Sequence, residues 1–230
     1  MIKHHPSLNL LAGFVAGDLP ASVAIGVSIH SQMCEQCRDK IAELTQRLAI
    51  QEFAEMESSS FDDGIEDNII TSDMASMDFG NMIDAITADD EISEQAVSKS
   101  ALIRIKDKNY ELPKALNNVR MSNWLNLGKL SRSSLNLDEG PLHSHLLHID
   151  AGGEVPTHTH KGFEITLLLD GSFEDEMGTY VAGDFIELDG AHNHKPKTIE
   201  GCLCYTVADD ALQFTEGFHK LFNPIGSLLY

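Results

Sequence analysis

Apolar positions change their period once along this chain, near residue 100. Before that point they recur at helical spacing. Residues 8–16 form a short apolar helix pattern ended by Gly17 and Asp18, and 22–32 form a second. Residues 34–56 carry the clearest pattern: Ile41, Leu44 and Leu48 fall at i, i+3 and i+7, with Arg38, Lys40, Glu43 and Arg47 on other faces. The Ser-rich acidic stretch 57–67 reads as a linker. Met74, Met77, Met82, Ile83 and Ile86 make a weaker amphipathic pattern among Asp78, Asp84 and Asp89, a short helix, and 90–100 is a second linker. Beyond 100 the period becomes two. Residues 102–106 alternate, and 142–149, 165–169, 180–188 and 202–207 are strand-like runs separated by Gly, Asp and Asn. Short strands between such turns suggest an antiparallel sandwich or barrel. The expected fold class is therefore α + β with two domains: a small helical bundle over 1–95, whose region 57–99 holds the acidic linker and the short helix, and a β domain over 100–230.

Charge narrows the partners. Asp and Glu number 36 against 16 Lys and Arg, a net charge of -20, and residues 1–99 carry -13 of it. A nucleic-acid binder needs cations to displace counterions from phosphates, so direct nucleic-acid binding is excluded, and an anionic membrane surface is disfavoured. A basic protein partner suits such a surface. No apolar run reaches about 18 residues, so no membrane-spanning helix is expected. The first 24 residues vaguely resemble a leader, but Asp18 and Pro20 break the apolar run and Lys3 is its one firm positive charge. A cytoplasmic location is expected, with the four cysteines free or metal-bound.

Two clusters carry chemistry. In HSQMCEQC, His30, Cys34 and Cys37 stand at i, i+4 and i+7. At about 100° per residue their side chains fall within about 60° of one helix face. Imidazole and thiolate are the ligands zinc prefers, and a structural site wants four. The fourth must come from elsewhere, and His4 or His5 is the natural donor, with Pro6 placed to start the next helix. The competing readings are a redox CxxC, or free thiols beside a core histidine. Thioredoxin-like motifs follow a strand, whereas this one has helix on both sides.

HxxxCxxC after an N-terminal His resembles the zinc-binding anti-sigma domains of bacteria, small helical bundles that clamp an extracytoplasmic-function (ECF, group IV) sigma factor and keep it off RNA polymerase. The stretch HHPSLNLLAGFVAGDLPASVAIGVSIHSQMCEQCRDKIAEL is especially similar to the start of the ChrR type. The resemblance implies zinc on His5, His30, Cys34 and Cys37, the second His of the HH pair being the one that matches. The acidity suits a protein that covers basic surfaces of a sigma factor.

The second cluster is GGEVPTHTHKGFEITLLLDG. His158 and His160 are two apart and face the same way in a strand, and Glu164 follows across a turn at Lys161-Gly162. Two imidazoles and a carboxylate converging inside a barrel suit zinc, iron, manganese or nickel, with a fourth ligand from a later strand. The spacing of Gly152, His158, His160, Glu164 and Gly171 resembles the first motif of the cupin family at every fixed position. Its second motif is only partly present: Gly183 precedes His194 by eleven residues, while Asp189, Ala191 and Thr198 replace its Pro, Gly and Asn. The resemblance implies His194 as fourth ligand, with His192 as runner-up. His143, His145 and His148 read as strand histidines lining the barrel or its rim. Cys202 and Cys204 read as small core residues, or as a pair oxidised when a nearby metal is attacked.

Helical zinc module first and cupin second resembles ChrR-type anti-sigma factors. That resemblance implies a non-enzymatic regulator of a zinc-bearing, jelly-roll-like cupin architecture, with two zinc ions per chain. It would sequester an ECF sigma factor and release it on oxidative stress, from singlet oxygen or an organic hydroperoxide. The rival from another class is a metal-dependent cupin dioxygenase or isomerase built on the same His158, His160, Glu164 and His194.

Overall fold

The computed structural model describes residues 1–58, 83–84, 87–88, 100–159, 162–210 and 213–215. The expected short helix over 74–86 and the linkers flanking it lie almost wholly outside them. Three helices open the chain: α1 (Leu8–Ala16), α2 (Ala21–Met33) and α3 (Glu35–Ser58). The Ser7 hydroxyl accepts from the Leu10 N–H and caps α1, and Gly17 ends it in the left-handed region at φ 76°. Pro20 gives α2 no side-chain cap. Glu139, distant in sequence, supplies one: its carboxylate accepts from the N–H groups of Ala21 and of Ser22 (2.9 Å). The helix stops at Cys34, which is extended (φ -119°, ψ 109°). The single helix face expected to carry His30, Cys34 and Cys37 is thus interrupted: His30 is in the last turn of α2, Cys34 at the break, and Cys37 in the first turn of α3.

Twelve strands follow among the described residues. A hairpin of β1 (Leu102–Ile105) and β2 (Lys108–Glu111) precedes a single-turn helix at Lys114–Leu116. Then come β3 (Arg120–Met121), β4 (Leu125–Leu127), β5 (Leu130–Asn136), β6 (His143–Ile149), β7 (His158–Thr159), β8 (Phe163–Glu174), β9 (Thr179–Val181), β10 (Phe185–Asp189), β11 (Cys202–Ala208) and β12 (Gln213–Phe214). Eight form one antiparallel sheet in the order β10-β8-β11-β6-β5-β3, with β4 on β5 and β9 on β8. The cupin fold expected from the sequence is present, but among the described residues this sheet is an open path ending at β10 and β3, not a closed barrel. A separate ribbon pairs β7 with β12.

Gly171 explains itself sterically. It sits at φ 80° opposite Cys202, just past the point where β8 shifts register against β11, and a Cβ there would lie 2.1 Å from the Gly201 carbonyl oxygen. The expected strand over 180–188 is broken by a turn at 182–184, with Gly183 at φ 95° and the Asp184 carboxylate accepting from the Val181 N–H at 2.8 Å.

Alternation gives the sheet two apolar faces. Leu146, Leu167, Phe185, Tyr205 and Val207 pack with Leu11, Val23, Val27 and Ile29 of the helices and with Ile105 and Tyr110 of the hairpin. Ile149, Leu168, Ile186, Leu188, Cys202 and Cys204 form a second core with Val155, Phe173 and Tyr180. Tyr205 donates its hydroxyl to the Ser22 carbonyl at 2.7 Å. Contacts join Met1–Leu48 with Ser100–Tyr230 in one compact unit and leave Ala49–Lys99 as another. Helices of this size bury too little surface alone, and the sheet supplies the rest.

Leu146 is fully buried between sheet and helices. Leu146→Ala is expected to destabilise the chain by about 2–5 kcal/mol in urea unfolding. Leu127→Ala, at an exposed strand position, should change it by less than about 0.5 kcal/mol.

Candidate metal centres

The first site forms where the N-terminal segment meets the α2–α3 break. One ligand atom from each of His5, His30, Cys34 and Cys37 lies within 4.8 Å of every other. His5 Nδ1 is 3.4 Å from the Cys34 sulfur and 3.5 Å from that of Cys37. His4 turns away, its ring against Tyr180 and its Nδ1 3.5 Å from Asp184 Oδ1, which separates the two N-terminal candidates.

His30 is 0% exposed. Its Nδ1 is 2.7 Å from the Gly183 carbonyl, which can only accept, so Nδ1 carries the proton and Nε2 keeps its lone pair. That Nε2 is buried and has no hydrogen-bond partner. A buried acceptor left so is costly, and a metal ion satisfies it. Burial, and after it the neighbouring Cys34, pushes the Cys37 thiol up to about 12. Burial likewise lowers His30, against its hydrogen bond to Gly183. A divalent cation reverses this logic by favouring thiolate and neutral imidazole. Two thiolates and two imidazoles are a structural zinc donor set, and the residues fit that ion. A cleft of about 430 Å³ lined by His5, Leu11, Cys37, Lys40 and Glu43 gives access to this side.

The second site lies on the other core. His158 and His194 exchange backbone hydrogen bonds, each N–H to the other's carbonyl at 3.1 Å, so two segments distant in sequence are locked side by side. Ligand atoms of His158, Glu164 and His194 lie mutually within 4.8 Å. His158 Nδ1 is 2.8 Å from the Pro156 carbonyl, and His194 Nδ1 is 3.3 Å from Asp175 Oδ2. Both rings are thereby fixed to present Nε2, and His194 Nε2 stands 3.6 Å from Glu164 Oε2. The Thr166 hydroxyl donates to Glu164 Oε1 at 3.2 Å. Two oriented imidazoles and a carboxylate fit a divalent metal. His160, the remaining expected ligand, lies outside the described residues. His192 is exposed and held by Asp189 at 2.7 Å, away from the cluster.

Asp175 is the residue the motif reading missed. It sits in the β8–β9 turn with its side chain buried. Burial opposes its ionised form, but hydrogen bonds from His194 and from the Met177 and Gly178 N–H groups outweigh that and hold its carboxyl below the usual range. A carboxylate behind a histidine in this way would orient the ring toward a metal and raise its basicity. Cys202 and Cys204 are buried in the second core. The Cys204 thiol is pushed up by its contact with Cys202, by burial and by the charge of Glu164. His148 faces the hairpin, 3.4 Å from Asp150. His145 lies half-buried, pushed down to about 3 by burial and the charges of Arg132 and His143. Neither belongs to a cluster among the described residues.

A helical Cys/His cluster laid against a sheet that carries an imidazole–carboxylate cluster on its other face defines a cupin-like fold with an N-terminal helical segment that could hold a metal. Residues 115–211 match the family described as the ChrR cupin-like domain. The anti-sigma-E factor ChrR of Cereibacter sphaeroides is 29% identical over 231 residues, spanning 97% of each chain. The crystal structure of Rhodobacter sphaeroides SigE in complex with the anti-sigma ChrR superposes with a TM-score of 0.60 at 24% identity, covering 91% of this chain and 100% of that one. The resemblance to ChrR-type proteins thus runs through nearly the whole chain, in sequence and in fold.

Elemental analysis of the full chain is expected to give about two metals, at least one of them zinc. His158→Ala should remove one and Cys34→Ala the other. Asp175→Asn should keep both ligand sets but weaken the second site about 10- to 100-fold in chelator competition.

Proposed function

We propose that this chain is an anti-sigma factor rather than an enzyme: it sequesters an ECF sigma factor and frees it under oxidative stress. The observation that carries this reading is similarity to an anti-sigma-E factor over 97% of both chains. Charge supports it independently, since the strongly acidic first 99 residues suit a partner with basic nucleic-acid-binding surfaces. So does the surface. Val23, Val27 and Ile29 of α2 are buried in the core shared with the sheet, whereas α3 exposes Ile50 and Phe53 one turn apart, with Phe53 66% exposed. Exposed apolar positions three apart on a helix are what a partner helix packs against.

In this reading zinc at the first site supplies folding free energy to the helical module by joining the N-terminal segment, α2 and α3. His30 reaches that site as a neutral imidazole with Nε2 presented, and His5 reaches it through Nδ1. The second site is the sensor. His158, His160, Glu164 and His194 hold its metal, and Cys202 and Cys204 are the soft groups in the same core. Zinc there has no redox chemistry of its own, which suits a sensor better than an oxygenase. The signal acts by favouring a state of lower affinity for the sigma factor.

Co-purification from the native host, with mass spectrometry of what stays bound, is expected to recover an ECF sigma factor. Phe53→Asp should weaken that capture about tenfold or more, as for an apolar hot spot. In a sigma-dependent reporter, Glu164→Ala and His160→Ala should keep inhibition and lose induction by singlet oxygen or an organic hydroperoxide. Normal induction in both variants would place the signal elsewhere. Oxygen uptake by an iron-loaded chain would favour the dioxygenase.

A further inference from the structure

The ligands of the first metal site are held in place by the β domain as much as by the helices that carry them. His30 is set by the carbonyl of Gly183, and His5 is set through the backbone of the segment that precedes it. The N–H groups of Lys3 and His4 both donate to Asp184 Oδ1, at 2.7 and 2.9 Å. The Phe185 N–H donates to the His4 carbonyl at 3.0 Å, so the segment preceding His5 is paired with the first residue of β10. Asp184 Oδ2 accepts from the Val181 N–H and closes the turn.

Asp184 is fully buried. Burial opposes its charge, but the N–H groups of Lys3, His4 and Val181 and the nearby His4 ring outweigh it and keep the carboxyl below its ordinary range. A buried carboxylate stripped of its donors is costly, so segment and turn stay together or part together. Gly183 completes the fit: at φ 95° its missing Cβ leaves room for Ile2, whose Cδ1 would lie 2.4 Å from it. The same turn leads directly into β10, where Leu188 stands opposite Glu164 of the second site.

We infer that the turn at 182–184 is a positioning element through which the β domain sets how tightly the first site retains its metal. Gly183 orients the ring of His30, and Asp184 places the segment that ends in His5. Neither is one of the clustered ligand residues. Displacing β10 relative to the N-terminal segment withdraws the support of two of the four ligands at once, and by linkage a metal bound there strengthens the docking of that segment by the same factor. The short β10 strand then joins a ligand of one site to the outer support of the other.

The inference rests on the reading that His5, His30, Cys34 and Cys37 bind a metal, and cobalt(II) tests the two separately in the full chain. Only a site with cysteine ligands gives a thiolate-to-cobalt charge-transfer band. Absence of that band from the unaltered chain overturns the site itself. With the band present, Asp184→Asn is expected to lower cobalt and zinc affinity at the thiolate site about tenfold or more in chelator competition, leaving the second metal unchanged. Lys3→Pro removes one donor to Asp184 without altering the β-domain sequence, so it should shift affinity in the same direction, and it decides the matter if Asp184→Asn does not fold. Unchanged affinity at the thiolate site in the folded variants overturns the inference. Equal weakening of both metals overturns it too, because that is general loosening and not loss of a local support.

Discussion

An antiparallel sheet whose strands are apolar on both faces has to be covered twice, and most of this molecule follows from how that is done. Leu146, Leu167, Tyr205 and Val207 on one side, and Leu168, Cys202 and Cys204 on the other, alternate along the same strands. Water is unfavourable for either set. Helices α1 and α2, with the β1–β2 hairpin, cover the first. The second closes over residues of the β8–β9 region and carries the imidazole–carboxylate site at its edge. The two candidate metal centres are therefore properties of one layered unit, each built where an apolar face ends and polar side chains begin.

Inside that frame, orientation is carried by the nitrogen of each imidazole that faces away from its site. His30 rests on Gly183, His158 on Pro156 and His194 on Asp175. A carbonyl or an ionised carboxylate accepts only, so each partner fixes the tautomer and leaves Nε2 as the donor atom. This is economical in sequence: no second ligand residue is required, only a backbone oxygen or one acid at the right place. It also means that the binding strength of each site is distributed over turns at 156, 175 and 183 that no ligand motif contains.

Much of the architecture was legible in the residues. The helices α1, α2 and α3 begin and end within a few residues of the apolar patterns that announce them, because Ser7, Gly17 and Pro20 act locally. Strands β6, β8 and β11 were visible as alternating or continuous apolar runs. Strand β5 was not. Its inward positions Ser131 and Ser133 are buried serines, satisfied by Asn126 Oδ1 and the Ser122 carbonyl, so Leu135 alone marks that face as apolar. The apolar patterns 22–32 and 34–56 already separate two helices beside Cys34, but the spacing of His30, Cys34 and Cys37 reads as one continuous helix face, which the extended backbone at Cys34 interrupts.

The sequence by itself determined the ligand types and their spacing, the change from helical to strand period, and the acidity, because each of these is a matter of local pattern or of composition. It left open which N-terminal histidine joins His30, Cys34 and Cys37, and whether His192 or His194 belongs to the second site. The folded geometry separates the members of each pair. His4 is drawn away by Asp184 and Tyr180 while His5 meets the sulfurs, and His192 is tied to Asp189 while His194 is locked to His158. Asp175, Asp184 and Glu139 acquire their roles in the same way, through partners far off in the chain, and a pairing set by how the sheet folds over the helices has no local signature to read.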